Sequence, residues 1–408
     1  MNYMTWADYL HDQIEMSEKL AKDKTGNSKF KERSIVFRLA KFANGFLDGQ
    51  EQPRLIVMYG LRGIGKSTIL FQLYNRLRSG RLTGWKTDSK KSVAKENILY
   101  ISVDQTLLQS QHLESESTLY DTVNKFCEEI HGKKLADLNK KIFLLIDEAQ
   151  FDDKWSVAVK SIFDINPNVF MLVTGSSALA LNLNTDLARR AIKEPLFPLN
   201  MLEYNLIQND IIPMRHTSEN LKNLIVKNEV LNIATLNKSL NELKNKLKAK
   251  NKNYKDETQN YLEMGSFPFS SNLSKDIAYR NIVDMINRIV TQDLPKISQY
   301  RTNSFDEILR IIGFLATRPP SEISQTKIAK NIGMSAGKVN EIFDTLEKAH
   351  LIFVVKPFNK GVSLKGIPRH YKYYFISPAI LSAICYLNGK SLSESAVKGN
   401  FVESAVAS

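Results

Sequence analysis

The chain has 408 residues, of which 43% are hydrophobic and 24% charged, with a formal net charge of +13 and a pI near 9.4. This balance excludes a disordered or fibrous chain, and the length supports two or three domains with real cores. No apolar run is long enough to cross a bilayer and the start lacks an apolar signal core, so the expectation is a cytoplasmic protein with no membrane partner.

The excess of Lys and Arg favours an acidic partner, nucleic acid before a membrane surface, although solvated lysines alone would give the same composition. The two cysteines, Cys127 and Cys385, lie far apart in apolar surroundings and read as buried thiols. No cluster of residues with metal-ligand spacing is visible.

In chain order, residues 1–50 read as helical, with amphipathic patterns at 4–20 and 34–47 and a polar connection around Gly26. The apolar run 55–59 (LIVMY) then reads as a buried parallel strand. It ends on G-x-x-x-x-G-K-S, formed by Gly60, Leu61, Arg62, Gly63, Ile64, Gly65, Lys66 and Ser67, and Thr68 opens a helical pattern through Ile69, Leu70, Leu73 and Leu77. Strand, glycine loop and helix are the context that a phosphate-binding loop requires. Backbone N–H groups of such a loop converge on phosphate oxygens at the positive end of the helix. Lys66 would then reach the β- and γ-phosphates of ATP, Ser67 would ligate Mg2+, and Thr68 would lie near the α-phosphate.

Residues 98–103 and 142–146 are two further apolar strands, with a helix predicted over 118–130. The second of these strands closes on Asp147-Glu148. An acidic pair at the tip of a buried strand downstream of a phosphate loop predicts a metal-holding carboxylate, Asp147, and a general base for the attacking water, Glu148. Asp152 and Asp153 are placed to cap a helix over 154–165. A fourth strand, 169–173, closes on Thr174-Gly175-Ser176-Ser177; a hydroxyl there would sense the γ-phosphate or orient the water, while Ser176 or Ser177 would serve equally as a helix cap. Residues 194–199, with two prolines, read as a short edge strand. Strands alternating with helices predict an α/β fold with a parallel sheet and the nucleotide at the carboxyl ends of its strands.

The segments YGLRGIGKSTIL, IFLLIDEAQFDDKW, VFMLVTGSSALA, ARRAIKEPLFPLNMLEY and YLEMGSFP together resemble bacterial and archaeal AAA-type ATPases with a helical lid, a winged helix and a C-terminal restriction-nuclease-like domain, over about residues 55–376. The resemblance implies a five-stranded sheet in the order 5-1-4-3-2, Thr174 as the first sensor, and Arg189 or Arg190 as an arginine finger reaching a neighbouring subunit, hence a homo-oligomer. Two departures stand out: GSFP replaces a pair of glycines, and Arg189-Arg190 replaces Gly-Arg. A pairing of one of these arginines with Asp186 or Glu194, which would only hold the loop, is the competing expectation.

Residues 201–261 read as mostly helical, with Leu236, Leu240, Leu243 and Leu247 at helical spacing in a lid, and lysines from Lys244 to Lys255 form a solvated face or touch phosphate backbones. A helix over 279–293 carries Arg280 and Arg288, either of which would reach the nucleotide from the lid. A helix over 305–316 precedes a helix-turn-helix pattern in which Ile328, Ala329, Val339, Ile342, Phe343 and Leu346 face inward around a turn at Gly333. Two strands, LIFVV and YKYYFI, flank a Lys/Gly-rich wing. As a winged helix on duplex DNA, it would use Ser335, Lys338 and Asn340, with Lys360, Lys365 and Arg369 on the wing; as a packing module it would use none of them.

A last helix is predicted over 379–387, and GNFVE at 399–403 resembles the opening of the family's nuclease-like domain, without the later acidic constellation that nuclease chemistry needs. The expected domains are an N-terminal helical segment 1–50, an ATPase core 51–200, a lid 201–300, a winged helix 301–378 and a tail 379–408. The expected activity is Mg-dependent ATP hydrolysis on or beside DNA, with an ATP-driven assembly or signalling switch as the alternative.

Overall fold

The computed structural model describes residues 5–25, 31–51, 53–83, 88–110, 118–177, 185–212, 214, 216–227, 232–270, 272–297, 304–318, 325–355, 371–389 and 395–407. The chain divides into two compact units, Met1–Leu196 and Phe197–Ser408.

The first unit runs α1 (Trp6–Thr25), α2 (Ser34–Leu47), β1 (Leu55–Tyr59), α3 (Lys66–Ser79), β2 (Ile98–Ser102), α4 (Val103–Ser110), α5 (Leu119–His131), β3 (Ile142–Asp147), α6 (Trp155–Ile165), β4 (Val169–Gly175), α7 (Thr185–Arg190) and β5 (Ile192–Pro195). Its five strands are parallel and ordered β2-β3-β4-β1-β5, the expected 5-1-4-3-2 read from the other edge. The strands are apolar throughout because both faces of the sheet are covered. Alternate residues Val57, Ile101, Leu144 and Met171 enter one core with Leu10 and Ile14 of α1, Phe126 of α5 and Trp155 of α6. The intervening residues face the other way: Phe143 and Phe170 meet Phe46 of α2 with ring centroids 5.5 and 5.7 Å apart, and Tyr100 meets Phe71 of α3 at 4.7 Å. The two N-terminal helices are thus part of this core, not an appendage to it.

The edge strand is shorter than expected and earlier. Ile56 to Tyr59 pair with Ile192 to Pro195, Leu196 N–H makes one more bond to the Tyr59 carbonyl at 2.8 Å, and Pro198 has no N–H with which to continue. Helix α5 starts on a capping box between Thr118 and Asp121. Asp152, expected as a cap of α6, accepts the Lys154 N–H at 2.8 Å and the Leu119 N–H at 3.3 Å, so it ties the starts of α5 and α6 together; Asp153 is exposed.

The second unit is mostly helical: α8 (Met201–Asn209), α9 (Thr217–Lys227), α10 (Asn232–Ala249), α11 (Tyr254–Asn260), α12 (Lys275–Arg288), α13 (Leu294–Ile297), α14 (Ser304–Ala316), α15 (Gln325–Ile332), α16 (Ala336–Lys348), a two-stranded antiparallel ribbon of β6 (Ile352–Val355) and β7 (Lys372–Phe375), α17 (Pro378–Leu387) and α18 (Ser395–Ala407). The helix expected over 279–293 begins earlier and passes into a π-turn at Ile289–Asp293; a second π-turn, Tyr261–Gly265, follows α11. Of the four spaced leucines only Leu247 is fully buried; Leu236, Leu240 and Leu243 line an apolar cavity of about 370 Å³ with Ile211, Met214 and Leu221. Val339, Ile342, Phe343 and Leu346 of α16 form a core with Ile328 of α15, and Gly333 makes the turn at φ 74°. Helix α17 is not the last. In α18, Glu403 accepts the Tyr374 hydroxyl at 2.7 Å and the Lys372 ammonium at 3.0 Å, seating that helix on β7. No helix among the described residues is long and apolar enough to cross a membrane.

Candidate functional site

The site is built where β1, β3 and β4 end beside the start of α3. Gly63 and Gly65 of the loop sit at φ 75° and 96°, which side chains rarely adopt. At Gly60 the constraint is space: a Cβ would lie 2.2 Å from the Leu196 carbonyl oxygen and 2.6 Å from Ile64 Cδ1. The Lys66 ammonium, 5% exposed, lies over the loop and donates to the Gly60 and Leu61 carbonyls at 3.0 and 2.9 Å. Leu61 and Ile64 are buried and anchor the loop. Arg33, just before α2, donates to the Ile64 carbonyl at 3.2 Å and is itself buried. Nothing local in the sequence marks Arg33, because only a fold that lays α2 beside the loop gives it this role.

Asp147 ends β3 fully inside the protein. The Thr174 hydroxyl donates to its Oδ1, the Tyr100 hydroxyl to its Oδ2 at 3.3 Å, and the Ser67 hydroxyl also bonds to it. Burial pushes the Asp147 carboxyl above its ordinary range, and the adjacent Glu148 charge pushes the same way; the two hydroxyls of Ser67 and Thr174 and the nearby Lys66 oppose it. Ser67, Asp147 and Thr174, distant in sequence, therefore converge. Their oxygens suit a hard cation such as Mg2+, and since no group of three or more His, Cys, Asp or Glu occurs among the described residues, the remaining ligands of such an ion would be phosphate oxygens and water.

Glu148 follows at φ 53°, a left-handed conformation uncommon for a residue with a side chain. Its N–H donates to Asp147 Oδ1 at 3.1 Å. Gln150, within the segment IFLLIDEAQFDDKW, donates its amide to Glu148 Oε2. Ser176 and Ser177 are buried, and their hydroxyls have no hydrogen-bond partner among the described residues.

The two arginines after β4 separate. Arg190 pairs with Asp164 at 3.1 Å and donates to the Asp186 carbonyl at 2.9 Å. The expected partners are otherwise engaged: the Asp186 carboxylate lies 3.5 Å from Lys160, and Glu194 binds Arg38 at 2.6 Å. Arg189 is exposed and has no polar partner among the described residues.

In the second unit, Arg280 and Arg288 are both exposed on α12. Ser335 caps α16, accepting the Lys338 N–H at 3.3 Å; Lys338 is ion-paired with Glu307 of α14; Asn340 is exposed. Lys360, Lys365 and Arg369 lie outside the described residues.

Residues 52–205 match the family model described as an AAA domain, and residues 255–391 match one described as a domain of unknown function (DUF8612). The first unit thus carries an AAA-type P-loop domain. An uncharacterized protein of Methanocaldococcus jannaschii is 28% identical over 359 residues, covering 88% of this chain and 67% of its own length. An uncharacterized protein of Haemophilus influenzae is 24% identical over 331 residues, covering 78% of this chain and 66% of its own length. The chain therefore spans about two thirds of the length of these relatives. Distant likenesses to solved structures include the Aeropyrum pernix ORC1 protein in complex with DNA (TM-score 0.34, 12% identity, 90% of this chain and 96% of that one). Another is AMPPCP-bound DnaA from Aquifex aeolicus (TM-score 0.29, 13% identity, 78% and 96%). These likenesses bear on the AAA-type domain and do not show the restriction-nuclease-like domain of the resemblance.

Proposed function

We propose that the chain is an Mg-dependent ATPase whose second unit contains a winged helix that engages duplex DNA. The observation that carries the ATPase reading is the convergence of Ser67, Asp147 and Thr174 beside Lys66, with Glu148 one residue beyond. In this reading the triphosphate takes the place of the Gly60 and Leu61 carbonyls as partner of the Lys66 ammonium, and loop N–H groups bind the phosphate oxygens. Ser67 and Asp147 would hold Mg2+, which supplies charge neutralisation on the phosphates. Glu148 accepts the proton of the attacking water, the bond from γ-phosphorus to the bridging oxygen breaks, and ADP and phosphate leave. Thr174 holds the Asp147 carboxylate in place, and Arg189 is the residue available to reach a neighbouring copy.

The DNA reading is supported by the net charge of +13 and by three helices followed by an antiparallel ribbon, with Asn340 exposed near the start of α16. A second reading has its own observation. Ser335 and Lys338 are both occupied within the unit, by a cap and by Glu307, as a packing module would have them. The winged helix would then be structural and ATP would drive assembly. ATP turnover measured with and without duplex DNA, alongside solution mass, separates the two. DNA-stimulated turnover supports the first; nucleotide-dependent assembly without a DNA effect supports the second; absence of turnover under both conditions overturns the ATPase.

A further inference from the structure

Gln150 is 4% exposed, in the single 3-10 turn Ala149–Phe151 that follows Glu148. Both ends of its amide are used. Oε1 accepts the N–H of Ser176, just beyond the end of β4, at 3.2 Å, and Nε2 donates to Glu148 Oε2. A backbone N–H can only donate, so it fixes which end of the amide is oxygen and leaves the NH2 facing Glu148. Glu148 Oε1 accepts no hydrogen bond from the described residues. The left-handed backbone at Glu148 turns its N–H onto Asp147 while Gln150 holds the carboxylate, so the residue is fixed at both ends.

We propose that Gln150 is a positioning residue for hydrolysis: it clamps one oxygen of the Glu148 carboxylate, leaves the other to receive the water's proton, and ties both to the tip of β4. The inference rests on Glu148 being the base. A glutamate side chain turns about three single bonds, and a base must be within hydrogen-bond reach of the proton it takes. Without the clamp the carboxylate spreads over several rotamers and is seldom in place. The link to Ser176 also sets the spacing between the base and Thr174, two residues earlier and within β4.

The test is single-turnover hydrolysis by the full chain carrying Gln150→Met, which fills a similar volume and makes neither hydrogen bond. The rate, read well below the melting transition, is expected to fall by about 10- to 100-fold, the cost of a misplaced catalytic group, while the Kd for a fluorescent ATP analogue stays at the parental value and the melting midpoint falls because the buried Ser176 N–H loses its acceptor. In a Glu148→Gln background the same substitution should add no further loss, because it acts through the carboxylate. An equal loss in both backgrounds, or weakened nucleotide binding, would show a general structural role and overturn the proposal. Should Gln150→Met fail to fold, Gln150→Glu decides: it keeps an acceptor for Ser176 but sets a like charge against Glu148, and parental turnover there would be fatal. Parental turnover by Glu148→Gln alone removes the base reading underneath, whereas inactive Glu148→Gln with fully active Gln150→Met removes only the role given to Gln150.

Discussion

The Lys66 ammonium donates to two carbonyls of its own loop, so the phosphate binding proposed for this lysine would be an exchange of partners and not the filling of a gap. Lys66→Ala removes the counter-charge and should abolish ATP binding in a direct binding assay, with the fold intact because the loop keeps its glycines. The arginines predict a sharper division. Arg189→Ala should lower turnover of the assembled protein by about 10³, the worth of an arginine finger, with no change in melting. Arg190→Ala removes a half-exposed pair with Asp164 and should cost up to about 1 kcal/mol of stability with turnover preserved. Mixing Arg189→Ala with Lys66→Ala subunits should restore turnover, since some interfaces then join an intact finger to an intact loop; equal activity of Arg189→Ala and the parent would end the finger reading. The sequence puts Lys66, Ser67 and Asp147 at fixed offsets from strand ends, a local pattern, and the structure brings them close together. Sequence could not say which of Arg189 and Arg190 is paired, because Asp164 and Asp186 reach Arg190 from α6 and α7, and that is decided only in three dimensions.

Between elements, side chains of the first unit take over hydrogen bonds that the backbone leaves open. Arg54, 7% exposed, donates to the Phe163, Asn166 and Val169 carbonyls at 2.7, 3.2 and 3.4 Å, and its guanidinium lies 3.6 Å from the Phe163 ring centroid. It thereby closes the carboxyl end of α6, where the helix dipole is negative, and fastens it to the start of β4. Arg54→Ala leaves buried acceptors unpaired and should destabilise the protein by about 3 kcal/mol in thermal or denaturant unfolding. Arg54→Lys should not restore the parental value, since an ammonium can neither fork to several carbonyls nor stack on a ring. The strands were legible because buried parallel strands are continuous apolar runs, whereas their order came through the resemblance, since right-handed crossovers alone leave several orders open. The limits of β5 were less so: its Lys-Glu-Pro composition gives no apolar run, and its pairing with β1 comes from the ladder and not from side chains. Arg54 itself reads as an ordinary polar residue before a strand, for its three acceptors lie more than a hundred positions downstream.

For the whole molecule, the charge of +13 meets its test in salt. If the second unit docks on duplex DNA, log Kd should rise linearly with log salt, by about 0.9 for each phosphate neutralised. Asn340→Glu, at an exposed position of α16 that contributes nothing to the core, should weaken binding further at every salt concentration. Binding indifferent to Asn340→Glu moves the contact to the lysines of α10, and no binding at low salt favours the packing module. One feature at Gly60 concerns the end of the first unit. The first unit ends at Leu196, and that residue is held from both sides by the phosphate loop's own beginning: its N–H bonds to Tyr59, and its carbonyl oxygen fills the space a Gly60 side chain would occupy. Leu196 therefore cannot shift independently of the loop: a displacement of Gly60 toward its carbonyl oxygen would have to be taken up by the last residue of the first unit.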